Sequence, residues 1–165
     1  MKTLKAIGYF QLAGGVVGFI MLLSSVVGHS QSNQLVWLIL IAATFLFGLS
    51  IFAGLACIDG NKRALQLSII NQLLQLFGIV LVGFSFSYSS GFHFRIGIDL
   101  TQESWLIFRY GFSDIRLLYN IDEDLIMIDL NLVAITVLFF LMKLTIIKKE
   151  ATDIFGMAKE IEGEH

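Results

Sequence analysis

The chain has 165 residues, of which 56% are hydrophobic and only 15% are charged, and its net charge at neutral pH is −2. A mean hydropathy of +0.81 and the lack of any basic stripe exclude an ordinary soluble domain and a nucleic-acid-binding protein. This length and composition predict an integral membrane protein of one domain.

The first predicted membrane span covers residues 6–27, an apolar run that follows Lys2 and Lys5. A helix of this length spans about 33 Å, which is enough to cross the hydrocarbon core. A signal peptide is the alternative interpretation, but this run is longer than the apolar region of such peptides. Gly14 and Gly18 form a GxxxG pair, which favours close packing against another helix.

The second predicted span covers residues 35–57, where Ser50 and Gly54 form another pair of small residues four positions apart. The third covers residues 64–87 and carries small and polar side chains at spacings of three and four, which places them on one face of a helix. This face consists of Ala64, Ser68, Asn71, Gln75, Gly78, Val82 and Ser85.

The fourth predicted span covers residues 128–147, with Asp129 in its first turn, where a carboxylate suits the positive end of a helix dipole. Lysines and arginines flank the four spans on one side: Lys2, Lys5, Lys62, Arg63, Lys148 and Lys149. The positive-inside rule then places both termini in the cytoplasm. The predicted fold class is an all-α membrane protein, a four-helix transmembrane bundle with a small β insert.

The insert covers residues 88–125 and lies on the outer side of the membrane. Residues 92–100 alternate strictly between apolar and polar, and a second alternating run from Leu106 changes phase near Ser113. These patterns predict a β-hairpin or a three-stranded meander with a bulge. Residues 148–165 form a cytoplasmic tail, either an amphipathic helix on the membrane surface or a solvated terminus.

The sequence contains two groups of candidate functional residues. The helix-packing or pore-facing group is Gln11, Gly14, Gly18, Ser50, Gly54, Ser68, Asn71, Gln72, Gln75 and Gly78. Its polar members either form interhelical hydrogen bonds, each contributing about 0.6–2 kcal/mol, or line a pore or pocket. The recognition group in the insert is Phe92, Phe94, Arg95, Trp105, Phe108, Arg109, Tyr110 and Phe112.

No catalytic or nucleotide-binding motif occurs in the sequence, and we expect neither an enzyme nor a cofactor. His29 and His93 have no cysteine or carboxylate at ligand spacing, so no metal site is expected. Cys57 has no partner for an internal disulfide and no activating neighbour in sequence.

The expected function is that of an accessory, scaffold or assembly subunit of a membrane complex, with the β insert as its recognition surface. The alternatives are a small oligomeric channel or membrane-perturbing effector lined by the polar face of the third span, or a binder of lipid or another apolar ligand. The expected partners are the bilayer and other membrane subunits or further copies of the chain. The expected location is the cytoplasmic membrane of a bacterium.

Overall fold

A computed structural model describes residues 2–28, 34–81, 83–101, 105–119 and 126–163. These ranges form four helices and four strands, with bounds as follows: α1 Lys2–Gly28, α2 Gln34–Asp59, α3 Ala64–Leu76, β1 Phe77–Leu81, β2 Phe84–Asp99, β3 Leu106–Tyr119, β4 Met127–Asn131 and α4 Leu132–Gly163. His29, Val82, residues 120–125 of the predicted insert and the last two residues of the tail lie outside the described residues.

Helices α1 and α2 are long and apolar enough to cross a membrane, over Lys2–Ser24 and Val36–Asp59. Only 39% and 33% of their most apolar stretches are buried, so most of these residues are partly or fully exposed, whereas a soluble core helix is mostly buried. Glycines allow the two helices to approach closely. A Cβ atom on Gly54 would lie 2.7 Å from the carbonyl oxygen of Gly8. Length and composition thus support association with a membrane.

The prediction of a four-helix transmembrane bundle is wrong, because two of the predicted spans are shared between helix and strand. The helix predicted over residues 64–87 ends at Leu76, and the span predicted from residue 128 begins as strand β4. In the described ranges only α1 and α2 are candidate spans, and the strands form one antiparallel sheet.

Alternation of side chains explains why α3 ends where it does. Residues 84–87 read Phe-Ser-Phe-Ser, and the exposed Phe77 and Ile79 of β1 alternate with the buried Gly78 and Val80. This period of two is that of a strand, whereas Gly78 and Ser85 also match the helical spacing of the third predicted span. Both periods fit these positions, and strand pairing decides between them.

The strand order in the sheet is β1-β4-β2-β3, and β1 also pairs with β2. Strand β1 pairs with residues 84–87 of β2 and with β4, and β4 pairs with residues 95–99 of β2. Because β1 and β4 lie between its two ends, β2 must turn back on itself. We call residues 84–88 and 92–99 the arms of β2, residues 89–91 its elbow, and the four strands together the curled sheet.

The elbow lies where the register between β2 and β3 shifts, opposite the phase change at Ser113. Gly91 has a φ of +93°, which glycine adopts at little cost. The amide of Gly91 donates to the Ser113 hydroxyl at 2.9 Å, and that hydroxyl donates to the carbonyl oxygen of Gly14 in α1 at 2.8 Å. The elbow is therefore inserted against the middle of α1.

The curled sheet has the reverse polarity of a sheet in a soluble protein. Its inner face buries Ser85, Ser87, His93, Arg95, Asp99, Asp129 and Asn131. Its outer face exposes Phe77, Ile79, Leu81, Phe84, Phe92, Ile98, Leu106, Phe108, Tyr110, Phe112, Ile128 and Leu130. Alternation with polar residues inside and apolar residues outside is typical of strands that face lipid.

Replacing Gly14 with alanine tests the insertion of the elbow. The new Cβ atom would lie 2.6 Å from the Cα atom of Gly91, and backbone cannot move aside as a side chain can. We expect Gly14→Ala to lower the free energy of unfolding by about 1–3 kcal/mol, measured by thermal unfolding in mild detergent. Gly48→Ala is the control, because its added methyl group would enter open space, with no packing neighbour within 4 Å. Equal stability of the two variants would contradict the contact.

Candidate functional site

A layer of polar side chains joins the first three helices. The hydroxyl of Ser50 donates to the carbonyl oxygen of Gln11 at 3.0 Å, and the hydroxyl of Ser68 donates to Oε1 of Gln11 at 3.1 Å. The amide of Asn71 donates to the Ser50 hydroxyl at 3.2 Å. All four residues are fully buried. The structure therefore brings together one residue of α1, one of α2 and two of α3.

The elbow of β2 and the adjacent Tyr88 pack against the same layer. The hydroxyl of Tyr88 donates to the carbonyl oxygen of Leu46 at 2.7 Å, and the hydroxyl of Ser90 donates to that of Ser50 at 2.7 Å. The backbone amide of Ser90 donates to Oε1 of Gln75 at 2.8 Å. The polar face of α3 thus binds the sheet, and a tyrosine and a serine of β2 fill the space in front of it.

Other members of the predicted packing group occupy different places. Gln72 is buried on α3 as well, whereas Gly78 lies in β1 and not on a helix. Gly18 lies against the ring of Phe47, and Gly54 lies against Gly8. The predicted GxxxG pair therefore contacts two different elements, since Gly14 meets the elbow of β2 and Gly18 meets α2.

The centre of the curled sheet is a buried ion pair between Arg95 and Asp129. Nη1 of Arg95 lies 2.6 Å from Oδ1 of Asp129, and the two side chains are only 3% and 2% exposed. Nη2 of Arg95 also donates to the carbonyl oxygens of Tyr88, at 2.7 Å, and of Gln75, at 3.2 Å. One guanidinium therefore joins both arms of β2, strand β4 and the last turn of α3, where free carbonyl groups favour a cation.

Asp129 also forms an ion pair with Nη2 of Arg109 on β3. Strand register places Asp129 between Gly78 of β1 and Gly97 of β2 in one row across the sheet. A Cβ atom on Gly78 would lie 2.8 Å from Nη1 of Arg95, and one on Gly97 would lie 2.7 Å from the Cβ atom of Asp129. The two glycines therefore leave the room that the buried ions occupy.

A cleft of about 270 Å³ lies beside these ions, lined by Ser87, His93, Arg95, Phe108, Arg109, Tyr110, Asp114 and Arg116. Nε of Arg116 lies 3.0 Å from Oδ2 of Asp114, and these side chains are 47% and 37% exposed. Nε of Arg109 and Nδ1 of His93 are buried and have no hydrogen-bond partner in the described part of the chain. We call this space the arginine cleft.

The predicted recognition group divides between the two faces of the sheet. Arg95 and Arg109 belong to the ion cluster, and Arg95 is buried. The aromatic members lie on or beside the outer face, where Trp105 is 70% and Tyr110 is 79% exposed. The rings of Phe94 and Phe108 are stacked with their centres 6.3 Å apart.

Sequence reasoning missed the central role of Asp129. The expectation that it begins a helix is wrong, because residues 127–131 form a strand and α4 starts at Leu132. Met127, Asp129 and Asn131 are buried whereas Ile128 and Leu130 are exposed, and this period of two is present in the sequence. Asp114, Arg116 and Tyr88 carry no sequence signal of their positions, which depend on the turn in β2.

Among the residues that the structure describes, no group of three histidine, cysteine or acidic side chains lies close enough to hold a metal ion. Comparison with known proteins finds no matching family model, no similar curated protein and no similar solved structure. Function therefore has to be inferred from the geometry of this chain.

Removing the charge of Asp129 tests the ion cluster. In Asp129→Asn two arginines lose their shared buried counterion, so we expect a loss of about 3–5 kcal/mol in the free energy of unfolding. Asp114→Asn is the matched control, because its ion pair is exposed and contributes less than about 1 kcal/mol. Chemical denaturation in mild detergent measures both values. Similar losses for the two variants would contradict a special role for Asp129.

Proposed function

We propose that this protein is a non-catalytic accessory or assembly subunit of a membrane complex, and that it recognises a membrane partner through the outer face and free edge of its curled sheet. The observation that carries the proposal is the inverted polarity of the sheet, which exposes aromatic and aliphatic side chains and buries charged ones. A surface of this kind is suited to lipid or to another membrane protein.

The contacts between helices and sheet support a position of the sheet within the outer half of the bilayer. Leu4 and Leu67 pack around the same buried cluster, so the basic residues next to them lie at one end of the molecule. Gly14 lies about 15 Å beyond Leu4 along α1, and the elbow of β2 contacts it there. The positive-inside rule places the basic end in the cytoplasm, and the arms of β2 then extend outward from the middle of the membrane.

The free edge of the sheet supports a protein partner. Strand β3 pairs with β2 alone, and no strand lies along its other edge in the described part of the chain. In hydrocarbon, each unpaired backbone amide or carbonyl group costs several kcal/mol. An added strand from a partner would pair these groups, and Phe108, Tyr110 and Phe112 would contact its side chains.

The channel alternative has no observation in its favour. Ser68, Asn71 and Gln75 are buried within the single chain, and each takes part in a hydrogen bond to another part of the fold. We propose that they hold the helices and the elbow together. The proposed location is the cytoplasmic membrane of a bacterium, on the basis of small size and of the basic end.

Tryptophan fluorescence tests the depth of the sheet. The chain has two tryptophans, so Trp37→Phe leaves Trp105, which directly precedes β3, as the single fluorescent reporter. In liposomes we expect nitroxide-labelled lipids to quench Trp105, and labels near the headgroup to quench it more than labels near the chain ends. Trp105→Phe, which leaves Trp37 in α2, is the control for a residue of a membrane helix. If lipid labels quench Trp37 but not Trp105, the sheet lies outside the bilayer and its proposed depth is wrong.

Photo-crosslinking tests the recognition surface. We expect benzoylphenylalanine at position 110, on β3, to form a discrete adduct with another membrane protein in intact cells. The same substitution at Tyr9 is the matched control, since this tyrosine of α1 is 58% exposed but lies near the basic end. Mass spectrometry identifies the adduct, and adducts with a second copy of the chain indicate self-association. Identical products at positions 9 and 110 would contradict the proposal.

A further inference from the structure

We propose that the arginine cleft binds the phosphodiester group of a phospholipid, with the acyl chains lying outside along the apolar outer face of the sheet. This inference rests on the proposed position of the sheet in the membrane, and it adds a ligand that neither the helices nor the free edge of β3 would require.

The charge of the cleft matches a singly charged anion. Arg95, Arg109 and Arg116 line the cleft together with Asp114, and Asp129 pairs with two of these arginines from beside it. Three positive charges therefore face two negative ones when His93 is neutral. Arg95 and Arg109 share the single carboxylate of Asp129. A phosphodiester carries one negative charge and would neutralise the cluster. Such neutralisation is valuable here because excess charge beside hydrocarbon is costly.

Hydrogen-bond donors are available for the oxygens of such a group. All three guanidinium nitrogens of Arg95 already donate to backbone oxygens, to the Ser89 hydroxyl or to Asp129. Arg109, in contrast, is 24% exposed, and its buried Nε has no partner among the described residues. Arg116 is nearly half exposed, and its exposed ion pair with Asp114 contributes little free energy. A guanidinium group presents several donors in one plane and binds phosphate oxygens in pairs. Arg109 and Arg116 are therefore the residues that would hold the phosphate.

The surroundings of the cleft favour a lipid over a free anion. The cleft volume of about 270 Å³ is smaller than a typical site for a whole drug-sized ligand, so the cleft would hold the charged group of a lipid and leave its chains outside. Phe108 and Tyr110 line the same cleft and are 56% and 79% exposed on the outer face. An amphiphile would thus place its charged group among the arginines and its chains along these rings. Inorganic phosphate would use only the first of these two contacts.

The test uses the full chain purified in a neutral detergent and titrated with dioctanoyl phosphatidylglycerol, with binding followed by native mass spectrometry. We expect Arg109→Gln and Arg116→Gln each to weaken binding at least tenfold. Arg63→Gln, an exposed arginine in the turn at the basic end, is the matched control and should leave the affinity unchanged. If Arg109→Gln is unstable, Arg116→Gln still tests the site, because among the described residues Arg116 forms its ion pair with Asp114, a side chain that is 37% exposed.

Two further ligands separate the sources of the anion. Dioctanoylglycerol, which lacks the phosphate, should not bind. Inorganic phosphate should compete only at concentrations at least a hundredfold above those of the lipid. Equal affinity for inorganic phosphate would overturn the assignment to a lipid, and an unchanged affinity for phosphatidylglycerol in both arginine variants would overturn the site itself.

Two results distinguish failure of the lipid proposal from failure of the proposed function. If the arginine variants lose the position-110 adduct in cells but retain lipid affinity, the cleft binds an acidic side chain of the partner and the lipid proposal is wrong. If Trp105 is quenched by lipid labels and the adduct persists while no lipid binds, the position and recognition role of the sheet stand without this ligand.

Discussion

The ion pair between Arg95 and Asp129 is the interaction on which the rest of the structure depends. The Arg95 guanidinium contacts β4, the first arm of β2 and the end of α3, and Arg95 itself lies on the second arm of β2. Gly78 and Gly97 on either side of Asp129 leave space for it. Because buried charges are stable only when paired and hydrogen bonded, this cluster holds the two arms of β2, strand β4 and the end of α3 together.

Polar groups inside and apolar groups outside characterise helices and sheet alike. Between helices in lipid the hydrophobic effect supplies little driving force, so hydrogen bonds and close glycine contacts supply the specificity. The layer of Gln11, Ser50, Ser68 and Asn71 does this between helices, and Tyr88 and Ser90 extend it to the sheet. The elbow of β2 is thereby an interior element of the fold, in contact with α1, α2 and α3.

Much of the candidate site was accessible from sequence, but not its arrangement. The polar residues at positions 68, 71 and 75 share a face in both the sequence pattern and the structure, because that part of the chain is helical. The alternation at residues 92–99 is likewise that of a strand. The pattern failed at Gly78 and Ser85, where helical and strand periods coincide, and at Asp129, where a five-residue strand resembles the start of a helix.

By itself the sequence determined the chemical class of each surface: two long apolar helices, a small and polar face on α3, and strands with one aromatic side. These are local properties, set by side-chain type and by the periods 3.6 and 2. Only the tertiary structure decided that α3 continues into a strand, that β2 turns back, and that the polar sides of its two arms enclose an ion cluster. The reason is that Arg95 and Asp129 are 34 residues apart in the chain. Their meeting depends on strand pairing between distant segments, which no local pattern encodes.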